Sequence, residues 1–256
     1  AKKDGSVVSV CVGEDPKDPV FVVTDLLIHL SQEQLQKKAS QVIEGEMLDI
    51  LVGHKPLVIE GDEEQKDPVK AQLLALIHDR YGMDEEDFLS AELEVVPAGA
   101  ARDLGFDRSM ILGYGHDDRS CSYPSLRAQL ELEEPPARTA LTILVDKEEI
   151  GSVGATGMTS RFFENVMAEV VALAGSGNGD LDLRRCLANS HMLSSDVSAG
   201  FDPLYASAFE TKNVAYLGHG VAFNKFTGRG GKGGSNDADA EYVALIRNVM
   251  DEHDVH

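Results

Sequence analysis

Short apolar runs alternate with longer segments of helical periodicity along this chain. The runs are Val7 to Val12, Val20 to Val23, Leu93 to Val96, Met110 to Leu112, Ala140 to Val145 and Val221 to Thr227, and each predicts a strand. Elsewhere, apolar residues three and four apart predict helices. One is fully punctuated: Asp67 is placed to cap it, Pro68 suits its first position, Val69, Leu73, Leu76, Ile77 and Tyr81 share a face, and Gly82 stops it. A second helix is expected from Ser125 to Leu132. A third runs from Arg161 to Ala174, closed by Gly175, with Phe162, Phe163, Val166, Met167, Val170 and Val171 on its apolar face. The last begins at Asn236 or Asp237 and continues to about Met250, with a stripe of Tyr242, Leu245, Ile246, Val249 and Met250. Its acidic first turn suits the helix dipole.

The pattern changes along the chain. In the first hundred or so residues strands are interleaved with a few helical stretches, and Glu60 to Lys66 is a charged, solvated linker. From about Phe106 onward strand, turn and helix alternate, which implies an α/β sandwich. The chain opens on Ser6-Val-Val-Ser-Val-Cys-Val12, in what reads as mid-strand and without an initiator Met, so a piece of a longer polypeptide is expected.

With 256 residues, 43% of them hydrophobic, the chain can build one large domain or a catalytic core with a smaller companion. A formal charge of −21 argues against a nucleic-acid or anionic-membrane partner, both of which need a basic footprint. Cys11, Cys121 and Cys186 are widely spaced, with no C-x-x-C among them. Neither a disulfide framework nor a thiolate zinc site is indicated, and a reducing cytoplasm fits best. No apolar run approaches the ~20 residues needed to cross a bilayer, and no leader is visible.

Candidate chemistry gathers at the ends of predicted strands. Glu148 and Glu149 follow Ala140 to Val145, at the carboxyl end where open α/β sheets bind ligands. Neighbouring side chains on a turning backbone point apart, so one can bind a metal while the other faces a substrate. A bare Glu-Glu pair in an acidic protein is more often a solvated loop, but Asp117 and Asp196 stand at comparable transitions. Competing motifs are weaker. Gly228-Arg-Gly230-Gly-Lys-Gly233 matches G-x-G-x-x-G, yet no second strand with its acidic residue follows ~20 positions later. Lys232 precedes Gly rather than Ser or Thr, so this is no Walker loop; a substrate-adjacent or intersubunit glycine loop is expected. No Gly-x-Ser-x-Gly elbow occurs. His191 and His219 have the chemistry of metal ligands, and His116 is read as a supporting or structural neighbour of Asp117.

Three ordered motifs carry a resemblance: His-Asp-Asp-Arg-Ser-Cys-Ser-Tyr at 116–123, Asp-Lys-Glu-Glu-Ile-Gly-Ser at 146–152, and Ser-Ser-Asp-Val-Ser-Ala-Gly-Phe-Asp-Pro at 194–203. With Val-Pro-Ala-Gly-Ala-Ala-Arg-Asp-Leu-Gly-Phe-Asp-Arg at 96–108, the chain closely resembles the aspartyl aminopeptidase and aminopeptidase I family of two-zinc exopeptidases along nearly its whole length. The resemblance implies a zinc-exopeptidase-like α/β sandwich with an inserted β-rich dimerisation domain. Residues 1–104 would be that domain, lacking its N-terminal part, and 105–256 part of the catalytic domain. It further implies that Asp117 bridges two zinc ions, replaceable by Co²⁺ or Mn²⁺, that Glu149 and Asp196 each ligate one, and that Glu148 is the general base. The family's two histidine ligands fall before Ala1 and after His256, and it uses neither His191 nor His219. The implied activity is removal of the N-terminal residue from peptides with a free amino terminus, by a cytoplasmic homo-oligomer assembled from dimers. Two alternatives stay open: another two-metal amidohydrolase or deacetylase, and a truncated, non-catalytic oligomerisation module.

Overall fold

Helices and short antiparallel pairs make up the chain in the computed structural model, which describes residues 1–58, 66–175, 179–227 and 236–255. They fall into two units, Ala1–Tyr114 and Gly115–His256.

In the first unit, β1 (Val22–Val23) pairs antiparallel with β2 (Ile50–Leu51), Val22 opposite Leu51. Between them lie the short helix α1 (Ala39–Val42) and two 3-10 turns. Helix α2 spans Pro68–Tyr81, as its punctuation predicts. Gly82 adopts φ 62°, a left-handed conformation that glycine takes without steric cost, and donates its N–H to the His78 carbonyl at 2.8 Å. Asp67 occupies the cap position but makes no side-chain cap bond. A 3-10 helix, Glu85–Ser90, is secured by a reciprocal capping box between Asp84 and Asp87. Asp87 is buried and also accepts the Lys3 N–H at 3.1 Å, while the Ser90 hydroxyl donates to the Ala1 carbonyl. The chain start is thereby fastened to this turn. Strands β3 (Arg102–Leu104) and β4 (Met110–Leu112) form an antiparallel hairpin, with Asp103 opposite Ile111.

The second unit contains α3 (His116–Leu130), α4 (Phe162–Ala174), α5 (Asp180–Ala188) and α6 (Ala240–Glu252). Helices α4 and α5 pack together, and Leu183 of α5, 6% exposed, is the buried apolar side chain among the described residues. Strands β5 (Phe226–Thr227) and β6 (Asn236–Asp237) pair antiparallel. The last helix therefore starts later than its acidic run predicts. Asn236 and Asp237 are engaged by β5, and Asp239 becomes the cap, accepting the Tyr242 N–H at 2.7 Å. Helix α3 starts earlier than expected, at His116, and α5 has no counterpart among the predicted helices.

The predicted strands fare less well than the helices. Val7 to Val12, Leu93 to Val96 and Ala140 to Val145 have no ladder partner among the described residues, and only the last two residues of Val20 to Val23 pair. Leu141 and Leu144 remain 53% and 56% exposed. Helices satisfy their backbone internally, whereas a strand needs a second segment beside it. Mixed helices and strands place the chain in the α/β class. The charged linker at 60–66 lies, apart from Lys66, outside the described residues, and so does the glycine loop at 228–233.

Candidate metal centre

The second unit delivers its acidic side chains from three irregular stretches. The first opens α3. Gly115 has φ 75°, and a side chain there would meet the Arg119 guanidinium, whose Nη1 lies 2.1 Å from the ideal Cβ position. The left-handed φ favours glycine at this turn, and Arg119 would have to shift to admit a side chain there. The Asp117–Asp118 peptide is cis, and both residues leave helical dihedrals, Asp117 at φ −83°, ψ 103° and Asp118 at φ −121°, ψ 23°. Their carboxylates are thus carried by a break in the helix and not by its regular face.

Glu148 and Glu149 lie on a single 3-10 turn, Glu148–Ile150, flanked by left-handed residues at Lys147 (φ 67°) and Gly151 (φ 95°). The Gly151 N–H closes the turn on the Glu148 carbonyl at 2.9 Å. Asp196 comes from the extended segment after α5. That helix ends where Asn189 caps it through its own amide to the Arg185 carbonyl at 2.9 Å, and Arg138 donates to the Asn189 carbonyl. Downstream the chain is anchored by Phe201, whose N–H donates to the Ala215 carbonyl at 2.8 Å and whose ring packs against Phe209 and Tyr216.

These stretches converge. Asp117, Asp118 and Asp196 each present a carboxylate oxygen within 4.8 Å of the others. Glu149 joins them: the Asp117 charge first, then that of Glu148, then desolvation, a hydrogen bond with Asp117 and the Asp196 charge push its carboxyl above the usual range. The charges of Asp117, Glu148 and Asp196, from three separate stretches of the sequence, thus all bear on Glu149. Asp118 was not among the predicted site residues. The doubled Asp in His-Asp-Asp-Arg was the available signal.

The donor set fits a divalent cation. One Asp118 oxygen is buried with no hydrogen-bond partner, an arrangement that costs free energy unless a further group engages it. Gathered carboxylates repel one another, and a cation reverses the sign of that interaction. Carboxylate oxygens are acceptable ligands for zinc, cobalt and manganese. Beside them, burial and then a hydrogen bond to Asp118 push the Cys121 thiol up, which keeps it protonated. His191 packs on Tyr242 with ring centroids 4.8 Å apart, and His219 on Tyr216 at 5.8 Å. The His116 carbonyl accepts from Ser120 at 2.9 Å.

Comparison with known proteins identifies the family. Residues 2–256 match the model of the aminopeptidase I zinc metalloprotease (M18) family. The chain is 56% identical over 255 residues to a probable M18 family aminopeptidase 1 of Clostridium acetobutylicum, covering 100% of this chain and 54% of that protein. The crystal structure of aminopeptidase I from Clostridium acetobutylicum superposes with TM-score 0.85 at 55% identity, covering 98% of this chain and 53% of that one. An M18 family aminopeptidase structure from Thermotoga maritima gives TM-score 0.89 at 41% identity, with 98% and 54% covered. The chain spans about half the length of these relatives. By the match over its length and these identities, the chain belongs to the aminopeptidase I zinc metalloprotease (M18) family.

Proposed function

We propose that this chain contributes the carboxylate part of a two-zinc aminopeptidase centre that removes the N-terminal residue of peptides with a free amino terminus. The observation that carries this reading is the convergence of Asp117, Asp118 and Asp196 within 4.8 Å, with Glu149 held above its usual range first by the Asp117 charge. Asp117 would be shared between two ions, Glu149 and Asp196 would each hold one, and two imidazoles would come from outside residues 1–256. Bound there, zinc activates a water and polarises the scissile carbonyl. Glu148, on the same 3-10 turn but assigned no ligand role, would serve as the general base, accepting a proton from the attacking water and returning it to the leaving amine, which requires hydrogen-bonding reach of both. The free α-amino group of the substrate, held at the centre, would make the enzyme an exopeptidase.

Residues 1–104 are assigned to assembly, as a dimerisation domain, and 105–256 to catalysis. The first stretch supplies strands and apolar residues, and among its described residues no group of His, Cys, Asp and Glu side chains gathers as a candidate metal site. Dimers joined through it would build a larger homo-oligomer in the cytoplasm. No helix among the described residues is long and apolar enough to cross a membrane.

Glutamine substitution tests the two glutamates separately. Glu148→Gln keeps shape and removes the base, so metal content stays at the parent value while kcat falls ~10² to 10⁴-fold. Glu149→Gln weakens metal binding. The assignment is wrong if Glu148→Gln strips the metal and Glu149→Gln retains it. A panel of aminoacyl substrates with free and acetylated amino termini separates an aminopeptidase from a deacetylase or other amidohydrolase, which would accept the blocked forms.

A further inference from the structure

The turn that carries Glu148 and Glu149 is held by a short relay of hydrogen bonds that ends on Thr159. The Ser152 carbonyl accepts twice from Thr159, from its N–H at 3.2 Å and from its hydroxyl at 2.5 Å. Ser152 in turn donates its N–H to the Lys147 carbonyl at 2.7 Å, and Lys147 immediately precedes Glu148. A second tie closes the base of the loop, where the Asp146 N–H donates to the Thr156 carbonyl at 3.3 Å and the Thr156 hydroxyl to the Asp146 carboxylate at 3.3 Å. Gly157 makes the relay sterically possible. Gly157 is buried, and a Cβ there would lie 2.1 Å from the Ser152 oxygen and 2.5 Å from the Val153 oxygen. The Ser152 carbonyl thus occupies space that any side chain at 157 would need, and it is held there by the Thr159 hydroxyl and N–H. Backbone strain accompanies it: Lys147 and Ser152 both adopt positive φ, 67° and 58°, without being glycine. Such residues keep those conformations only where surrounding bonds fix them.

We propose that Thr159 is a positioning residue for the Glu148–Glu149 pair, fixing through the Ser152 carbonyl where Glu149 meets Asp117 and Asp196. Its hydroxyl touches no reacting atom and acts through two backbone bonds. Groups that orient a metal ligand from behind are commonly worth 10–100-fold in affinity or activity. The proposal rests on the reading of Glu149 as a metal ligand.

The test uses the metal-loaded protein and its metal-free form, with Zn²⁺ affinity measured by competition against a chromophoric chelator, and kcat and KM measured alongside. Thr159→Val removes the hydroxyl and keeps the shape. It is expected to weaken Zn²⁺ binding ~10-fold or more and to lower kcat, with KM within about twofold. Thr159→Ser restores both. Thr159→Ala also keeps the backbone N–H bond, so it gives the same reading if valine crowds the turn. A residue that served stability alone would lower the melting temperature yet leave Zn²⁺ affinity unchanged below the transition. The inference is overturned if the valine and alanine variants bind Zn²⁺ as the parent does while Glu149→Gln binds it weakly, or if serine fails to rescue. Should Glu149→Gln itself leave Zn²⁺ affinity untouched, the ligand reading falls and the inference with it.

Discussion

Glu149 faces Asp117, Glu148 and Asp196 at once, and its raised carboxyl records the repulsion among them. The consequence for stability has a definite sign. A carboxyl whose folded-state value exceeds its unfolded one binds more protons when folded, so stability falls as pH rises from the unfolded value through the folded one. Below that window the penalty is absent; above it the penalty is full. In metal-free protein, Glu149→Gln should therefore raise the melting temperature at neutral pH, and the gain should vanish as pH falls through the carboxylate range. With zinc bound the order reverses, because the carboxylate then gains a cation and the amide does not. Melting curves with and without chelator check this, and equal melting of parent and variant at neutral pH would remove Glu149 from the cluster. Asp117 and Asp196, which converge, could be picked out in the sequence because each stands in a motif at a strand-like to turn or helix transition. Asp118 could not, since its place depends on backbone dihedrals at the head of α3 that no spacing rule encodes.

Helix ends are the elements whose chemistry is most local, and they separate what the sequence could disclose from what it could not. Pro68, Gly82 and Gly175 mark their helices correctly, because cap and stop residues act on backbone groups a few positions away. The strands at Val7 to Val12 and Ala140 to Val145 were misjudged for the opposite reason: an apolar run says that a segment wants a partner, not which one is beside it. Asp239 shows both sides. Its acid was visible, yet the choice of Asp239 over Asn236 or Asp237 depends on β5 claiming the latter two. Asp239→Ala should cost about 0.5–2 kcal/mol by leaving the Tyr242 N–H unsatisfied, read as a loss of helix α6 on heating before the rest. The Asp84–Asp87 box makes a pH-dependent counterpart. The Asp84 N–H, and then that of Lys3, hold the Asp87 carboxyl below its usual range. A lowered value contributes stability above the unfolded pKa that is lost as pH falls through the folded one. Asp87→Asn should accordingly destabilise at neutral pH and be silent in acid below both values. Amide exchange at Lys3 and Asp84 reports it directly, and protection that stays the same at neutral pH would count against the box.

At the scale of the molecule, apolar exposure and charge pull in opposite directions. Leu26, Leu27 and Ile28, together with Leu30, are each more than half exposed in the first unit, and surface of this kind is removed from water by association at roughly 25 cal/mol per Å². Two copies each carrying −21 resist that association. Charge repulsion between separated surfaces is screened by salt, with a Debye length of ~30 Å at 0.01 M falling to ~3 Å at 1 M, whereas apolar burial is not. If residues 1–104 join chains through apolar contact, the oligomer should therefore tighten as salt rises. Sedimentation should show its mass increasing or its dissociation constant falling between those two conditions. Charged replacements at Leu27 and Ile28 should lower the mass at both salt concentrations before Zn²⁺ binding is affected, since these residues lie far in sequence from Asp117, Glu149 and Asp196. An assembly that loosens with added salt would mean that ion pairs hold it, and an assembly indifferent to both replacements would move the interface out of this region.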